Sequence, residues 1–388
     1  MKKIVIASDS FKGSLSSAEV AKAAAAGIHD IFPNLEVICL PLGDGGEGTC
    51  EAIAETLSCD WIEVHTTDPL GRPIKAKYAI SQEKEPAAII ELAQASGLTL
   101  LSDRERNPMK TSTYGTGSLI MDAIEKGCRK FIIGLGGSAT NDGGTGMLEA
   151  LGFRFIDESG TPVTGCCGEK LSKISDIDSS HVPQTVLSSS FTVACDVDTP
   201  FIGPTGATWI FAPQKGADCT SIEILEEGMI SLARTISRKY SIDLGQIKGT
   251  GAAGGVGGAF LALLGGKLCK GSDLVLDAAG FDEMIETAEM VITGEGKIDS
   301  QSFCGKLPSA VLRRASAKRI PVAAIGGIVD LNDTQIRNSG FHCILPIQPR
   351  PTDQSSLAAA MDPDNTFRNI RKTIAGIIAD SYGIAEKY

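Results

Sequence analysis

Three short segments of this chain combine carboxylates, hydroxyl groups and glycines, and two of them also carry a lysine. They read "DSFKGSLS" from Asp9, "LGDGGEGT" from Leu42 and "TGEGKIDSQS" from Thr293. Each follows an apolar run typical of a buried strand, and loops at the carboxyl ends of parallel strands share one edge of a sheet, where open α/β sheets bind ligands. Carboxylates can hold Mg²⁺ or orient an attacking hydroxyl, and lysines can screen phosphates. The three segments therefore predict one polar cleft suited to phosphoryl transfer.

A fourth segment, "GLGGSATNDGGTG" over Gly134–Gly146, follows the predicted strand "KFII". Glycines let a backbone approach a ligand closely, and clustered N–H groups form a concave anion site. Phosphate is the expected guest. A tightly packed turn is the structural alternative, and glycine content alone does not separate the two.

Two dinucleotide fingerprints compete with that interpretation. Gly134, Gly136 and Ala139 fit G-x-G-x-x-A, with Asp157 at a suitable distance for a ribose contact, and a second match runs from Gly249 to Gly254. The first lacks a helix beginning inside the motif, and "DLGQIK" before the second is a poor buried strand. No G-x-x-x-x-G-K-[ST] occurs. A nucleotide-using kinase with this sequence would therefore not be a P-loop enzyme.

Composition narrows the function classes further. The chain has 388 residues, of which 43% are hydrophobic, so two domains are expected. A formal net charge of -11 would repel a polyanion, so nucleic-acid binding is disfavoured. No apolar stretch approaches the roughly 18 residues of a membrane span, and the N-terminal apolar run is too short for a signal peptide. We therefore expect a cytoplasmic protein that does not bind membranes, whose eleven cysteines are reduced thiols.

Alternating strands and helices predict an α/β fold. "KIVIA", a helix beginning at "SSAEVAKAAAAG" and "EVICLPL" form a β-α-β unit with parallel strands, and "MVITGEG", "VAAIGGIV" and "HCILPI" repeat this pattern near the C-terminus. The middle of the chain has denser turn signals and more varied strands. We therefore expect a Rossmann-like parallel-sheet domain, residues 1–64 plus 286–388, split by an inserted mixed α/β domain, residues 65–285.

At these segments the sequence resembles the type I glycerate kinases. The family's recurring segments are matched by the motifs above and by "TDPLGRPI", "ACDVDTPF", "FAPQKGA" and "GTGAAGG", from Asp9 to about Ile328; a minor departure is Thr199, where Asn often stands. The resemblance implies ATP-dependent phosphorylation of D-glycerate, with the 2-hydroxyl as the expected acceptor and 2-phosphoglycerate and ADP as products. It also implies a similar split Rossmann-like fold, and we expect the active site in the cleft between the domains.

The roles of single residues come from local chemistry. Asp196 follows the strand "FTVAC", where a partly desolvated carboxylate could act as general base; an Asx turn is the alternative. Lys12 follows Asp9 by three residues, so one helical turn would direct both to one pocket, with Lys12 on a phosphate or on the glycerate carboxylate. Glu295 and Asp299, on either side of Lys297, suit Mg²⁺ and a phosphate, although a salt-bridged turn would look the same.

The remaining predicted contacts fall into two groups. Predicted substrate contacts are Asp44, Arg72, Gln214 and Lys215, of which Arg72 could fork onto a carboxylate. Predicted nucleotide or phosphate contacts are Gly136, Gly137, Ser138, Thr140, Asn141, Asp142, Gly251, Gly254 and Lys297.

Two other function classes stay open at this point: an NAD-dependent oxidoreductase, which would use the fingerprints, and a non-catalytic nucleotide or metabolite sensor. The sequence also leaves open phosphorylation at O2 or O3 and the choice between a monomer and a homodimer.

Overall fold

A computed structural model describes residues 3–43, 49–303, 305–350, 358 and 360–384 of the chain. It divides into two compact units, the first formed by Met1–Ala52 with Ser272–Tyr388 and the second by Ile53–Gly271. The first unit is therefore discontinuous in sequence, whereas the second is one continuous segment.

The strands, in chain order, are β1 (Lys3–Ser8), β2 (Glu36–Pro41), β3 (Asp60–Thr67), β4 (Pro73–Ile80), β5 (Ala87–Glu91), β6 (Lys130–Gly134), β7 (Arg154–Ile156), β8 (Pro162–Val163), β9 (Asp176–Asp178), β10 (Ser190–Ala194), β11 (Lys267–Cys269), β12 (Met290–Ile298), β13 (Val322–Val329) and β14 (Cys343–Pro346). The α-helices are α1 (Ser17–Ile31), α2 (Thr49–Thr56), α3 (Ala93–Ser96), α4 (Tyr114–Glu125), α5 (Thr145–Ala150), α6 (Gln184–Leu187), α7 (Ala207–Phe211), α8 (Cys219–Tyr240), α9 (Ala252–Leu263), α10 (Gly271–Ala278), α11 (Phe281–Met284), α12 (Leu307–Ala317), α13 (Asp333–Asn338) and α14 (Pro363–Ser381). Single 3₁₀ turns include Pro213–Lys215 and Ser300–Phe303.

The first unit contains a five-stranded parallel sheet in the order β14-β13-β12-β1-β2. The chain runs from β1 outward to β2 and later returns to β12 on the other side of β1. The strand order therefore reverses between β1 and β12, and a doubly wound sheet binds its ligand beyond the carboxyl ends of the strands at such a switch point.

Helix α1 shows why this unit folds as the sequence predicts. Ser16 caps it, and its hydroxyl accepts a hydrogen bond from the Glu19 N–H while the Glu19 carboxylate accepts one from the Ser16 N–H. Val20, Ala24 and Ile28 bury one face in the core that the sheet shares with α14. These residues recur at the three-to-four-residue period of a helix, so the sequence alone predicts this buried face.

The second unit contains a six-stranded sheet in the order β11-β10-β6-β5-β4-β3 and a separate three-stranded sheet, β8-β7-β9. Strands β5, β6, β10 and β11 are parallel, whereas β3, β4 and β5 pair antiparallel. In its core the Phe131 ring stacks on the Phe191 ring, and the Phe260 ring contacts Phe191 at a tilt of 45°. The predicted fold class, a parallel-sheet domain split by a mixed α/β domain, is confirmed. In the part of the chain that the structure describes, no helix is long and apolar enough to cross a membrane.

Candidate functional site

The segment after β1 reaches the switch point of the first unit. Asp9 is only 6% exposed, and its N–H donates to the Gly294 carbonyl of β12 at 3.0 Å. Phe11 to Leu15 then close a tight turn, and α1 begins only at Ser17. The prediction that one helical turn joins Asp9 and Lys12 is therefore wrong, because this turn separates them from the helix. Lys12 itself is exposed.

Glu295, near the end of β12, is a carboxylate held inside the first unit. The residue is 4% exposed, and its Oε2 lies 3.3 Å from the ammonium nitrogen of Lys306. Burial raises the pKa of Glu295, and the Ser302 hydroxyl and Lys306 oppose that shift. Its Oε1 is buried without a hydrogen-bond partner among the described residues, as is the Thr293 hydroxyl two residues earlier on the same strand. Unsatisfied buried oxygens are costly, so this pair points to a ligand.

The Glu295 carboxylate fits the chemistry of Mg²⁺, which takes oxygen ligands and is commonly bound through one or two carboxylates plus substrate phosphates. Asp299, the second predicted ligand, forms an ion pair with Lys297 at 3.0 Å, and Lys297 also lies 3.6 Å from Asp330. Over the described ranges, no group of three His, Cys, Asp or Glu side chains is arranged to hold a metal. A metal here would therefore depend on substrate oxygens and water for most of its ligands.

The glycine-rich stretch of the second unit divides into two parts. Gly136 and Gly137 are exposed, whereas Ser138 and all residues from Ala139 to Thr145 are buried. The Asp142 carboxylate accepts hydrogen bonds from the Thr113 N–H at 2.8 Å, the Thr113 hydroxyl at 2.7 Å and the N–H groups of Gly144 and Gly146 at 3.1 and 3.2 Å. Burial raises the pKa of Asp142, and these donors oppose the shift. Asp142 therefore organises the loop from inside.

Lys215 is the cation of this loop. It is 2% exposed, and its ammonium donates to the Ser138 hydroxyl at 2.8 Å and to the Thr140 carbonyl at 2.7 Å. Burial lowers its pKa from 10.5 to about 7, opposed by the charge of Asp142. The structure thus brings four predicted site residues together, Ser138, Thr140, Asp142 and Lys215, while Gln214 is exposed.

The second glycine segment packs against the first. Gly254 adopts a left-handed φ of +67°, and a Cβ on it would lie 2.1 Å from the Thr140 carbonyl oxygen. Its own carbonyl accepts a hydrogen bond from Gly143 at 2.9 Å. Gly251, one residue before α9, is held equally closely, because a Cβ there would lie 2.1 Å from the Pro200 carbonyl oxygen. These glycines allow two backbones to meet. The Asn141 side chain is fully buried, with one amide contact to Thr208.

Asp196 and Arg72 lie in other surroundings than expected. Strand β10 ends at Ala194, and Asp196 is exposed, with Oδ1 accepting from the Gly271 N–H at 2.9 Å. The predicted partial desolvation of Asp196 is therefore wrong, because the chain leaves the sheet before this residue. Arg72 stands in the β3–β4 hairpin, where its guanidinium contacts Asp68 at 2.6 Å and Glu105 at 2.5 Å. Asp44 lies outside the described residues.

Sequence reasoning missed Lys306 and Thr293. Lys306 is the residue that precedes α12, eleven positions after Glu295, so only the fold brings the two together. The sequence does contain a signal for Lys306. Pro308 marks the start of a helix, so Lys306 lies in the loop between the acidic segment and that helix.

Comparison with known proteins agrees along the whole chain. A model of the glycerate kinase family matches residues 4–379. A glycerate kinase of Bacillus cereus is 42% identical over 370 residues, which cover 95% of this chain and 97% of that relative. The glycerate 2-kinase of Escherichia coli is 40% identical over 379 residues, covering 96% and 98%. The crystal structure of a provisionally assigned glycerate kinase 2 from Salmonella typhimurium LT2 has a TM-score of 0.83 and 38% identity, covering 98% of both chains.

Proposed function

Since this chain belongs to the glycerate kinase family, we propose that it transfers the γ-phosphoryl group of ATP to the 2-hydroxyl of D-glycerate. The products are 2-phosphoglycerate and ADP, and Mg²⁺ is required. The observation that carries this proposal is the buried Glu295 with its Lys306 partner at the switch point of a doubly wound sheet. Support for the 2-position comes from the relative in Escherichia coli that is called a glycerate 2-kinase.

Phosphoryl transfer relies mainly on positioning and on electrostatic stabilisation of the transferring group. We assign Glu295 and Asp299 to Mg²⁺, which when bound neutralises charge on the phosphate oxygens. Lys12 and Lys297 are exposed cations of the same unit that can screen phosphates, and Lys306 holds the Glu295 carboxylate. The exposed residues Gly136 and Gly137 are proposed as a further phosphate contact through their backbone N–H groups.

The attacking hydroxyl must lose its proton as the new oxygen–phosphorus bond forms and the bond to the leaving ADP oxygen breaks. We propose Asp196 as the acceptor of that proton, with Asp9 as the second candidate. Replacing the base by its amide should lower kcat about 10²- to 10⁴-fold with little change in KM for glycerate. A folded Asp196→Asn variant that keeps more than about a tenth of kcat would show that Asp196 is not the base, and Asp9 or Asp299 would be tested next.

The activity is tested by a coupled assay. Enolase and pyruvate kinase report 2-phosphoglycerate directly, whereas 3-phosphoglycerate is detected only after a mutase is added. We expect signal without the mutase, dependent on ATP, Mg²⁺ and D-glycerate together. Signal only with the mutase would move the acceptor to the 3-hydroxyl, and no phosphorylated product under either condition would contradict the proposal.

Three companion hypotheses accompany the activity. We propose a cytoplasmic location, and fractionation of cells tests it. Closure of the two units around the substrates stays a prediction, which small-angle scattering with and without both ligands would reveal as a compaction. Light scattering behind a sizing column decides between a monomer and a homodimer.

A further inference from the structure

A pocket of about 160 Å³ opens within the first unit at the carboxyl edge of its sheet. Its lining includes Phe11 from the turn after β1, Gly296 of β12, Gly327 of β13, Gln348 after β14, and Ala360 and Met361 just before α14. Pockets for whole drug-sized ligands span about 300–1,000 Å³, so this one has room for a ring system and not for a complete nucleotide.

Glycines shape one wall of the pocket. Gly296 and Gly327 lie side by side on neighbouring strands, because Glu295 pairs with Gly326 and Lys297 with Ile328. The Phe11 ring lies over this wall: a Cβ on Gly327 would meet the ring at 3.6 Å, and one on Gly294 would do the same. Both distances are ordinary van der Waals contacts, so the ring packs directly on the backbone of the two strands. Phe11 is only 3% exposed, so the wall presents mainly flat glycine backbone, against which a planar base can lie closely.

Gln348 provides directional groups at the same pocket. Its Nε2 donates to the Ala360 carbonyl at 3.2 Å, and its Oε1 accepts from Asn369 at 3.1 Å. These contacts fix the side-chain amide and still leave it one N–H and one lone pair. A glutamine amide that offers a donor and an acceptor together can pair with N7 and the 6-amino group of adenine.

Ser14 and Thr366 hold the opposite wall. Their hydroxyl oxygens lie 2.6 Å apart, and Thr366 donates to the Ala360 carbonyl at 3.2 Å. The position of Ala360 is therefore set by two side chains, Thr366 and Gln348. The pocket is preformed, which limits the entropy lost when a ligand binds.

We propose that this pocket binds the adenine base of the phosphoryl donor. The inference rests on the proposed function, which supplies ATP as the donor. Lys12, which also lines the pocket, is exposed and can meet a phosphate.

Photolabelling of the wild-type protein tests the location directly. With 8-azido-ATP, we expect labelled peptides that contain Phe11, Gln348 or Met361, and protection by ATP and by adenosine. Label confined to Gly134–Gly146 or Gly249–Gly258, or no label that ATP protects, would overturn the inference. The experiment needs no variant, so it does not depend on the folding of a mutant.

Filling the pocket gives the kinetic test. Ala360→Trp should raise KM for ATP and the calorimetric Kd for ATP about tenfold or more, because the indole would fill the volume proposed for the base. It should leave tripolyphosphate affinity, KM for glycerate and kcat at saturating ATP nearly unchanged. The matched control is Ala358→Trp, at an exposed position two residues earlier that does not line the pocket. Equal ATP affinity in a folded Ala360→Trp variant would overturn the inference.

Base preference gives a further readout. Gln348→Met keeps the length of the side chain and should reduce the ratio of kcat/KM for ATP to that for GTP, whereas an unchanged ratio contradicts adenine recognition by Gln348. The inference and the proposed function can fail separately. If the protein binds adenosine in this pocket but never phosphorylates glycerate, the adenine site stands and the proposed activity is wrong. If it phosphorylates glycerate and Ala360→Trp leaves KM for ATP unchanged, the activity stands and the adenine site is wrong.

Discussion

The two units differ in how their charged groups are hydrogen-bonded, although both use glycine, acidic residues, hydroxyl groups and lysine. In the second unit the Asp142 carboxylate accepts four hydrogen bonds and Lys215 donates two, so these two charges are satisfied, although the Thr140 hydroxyl and the Asn141 Oδ1 of the same loop are buried without a partner among the described residues. In the first unit one oxygen of Glu295 and the hydroxyl of Thr293 are buried with no partner in the described part of the chain. We call the contacts of Asp142 and Lys215 the closed network and the Glu295–Thr293 pair the open network, because only the second leaves a carboxylate oxygen without a partner within the described ranges.

The largest expected effect breaks the closed network. Gly254→Ala forces a side chain into a left-handed backbone at a point 2.1 Å from the Thr140 carbonyl oxygen. Backbone strain alone costs about 1–3 kcal/mol, and the clash adds to it, so we expect a loss of more than about 3 kcal/mol in the free energy of unfolding. Urea titration followed by circular dichroism measures it.

The matched control is Gly160→Ala, also left-handed at +83° but with nothing within 4 Å of an added Cβ. It isolates the strain and should cost about 1 kcal/mol. Equal losses in both variants would mean that close packing of the two glycine segments contributes nothing.

The next effect concerns the open network and should appear in activity. Glu295→Gln keeps the shape and removes the charge that burial disfavours, so the fold should lose little stability. A carboxylate that helps to hold Mg²⁺ is worth several kcal/mol in the transition state, so kcat should fall about 10²-fold or more. The coupled assay at increasing Mg²⁺ concentration measures this loss.

Asp142→Asn is the counterpart in the closed network. An amide there turns an NH₂ group toward donors, so we expect it to destabilise the fold by about 1–3 kcal/mol. If Glu295→Gln instead destabilised the protein as much and kept its kcat, Glu295 would be a structural residue like Asp142.

Local patterns predicted the elements of this fold, and tertiary contacts decided the rest. Ser16 and Glu19 lie within one turn of each other, so their capping box was readable from the sequence. Lys215 and Ser138 are 77 positions apart, and no local pattern reports that the lysine is buried against that loop. The turn from Phe11 to Leu15 likewise packs on glycines of β12 and β13, which lie far away in sequence. The sequence therefore identified the residues of the motifs but not their contact partners or their exposure to solvent.

A smaller effect tests whether burial in the closed network lowers the pKa of Lys215. Its pKa of about 7 lies below the 10.5 of an exposed lysine, so between pH 7 and pH 10 the unfolded chain binds more protons. The free energy of unfolding should therefore rise with pH across this range, by about 1.4 kcal/mol per unit at most. Lys215→Met has no amine at this position, so its free energy of unfolding should lack the rise with pH that Lys215 causes.

The stability of the wild type relative to Lys215→Met should consequently increase by about 2 kcal/mol from pH 7 to pH 9. Lys84→Met, at an exposed lysine, should show no such trend. A difference between wild type and Lys215→Met that stays constant with pH would show that the buried ammonium keeps its proton throughout.

The smallest expected effect concerns Arg72, whose predicted substrate contact differs from the ion pairs that it forms. The sequence suggested that its guanidinium binds the substrate carboxylate, whereas the structure pairs it with Asp68 and Glu105 while its side chain stays 48% exposed. Asp68 is only 3% exposed but also accepts hydrogen bonds from the backbone N–H groups of Leu70 and Arg72, so Arg72→Ala should cause a small loss of stability and leave KM for glycerate within about twofold of wild type. A bidentate contact to the substrate would behave differently, because Arg72→Ala would then raise KM about tenfold or more and Arg72→Lys, which lacks the planar fork, would not restore it. Initial rates at varied glycerate concentration for both variants decide between a hairpin residue and a substrate ligand.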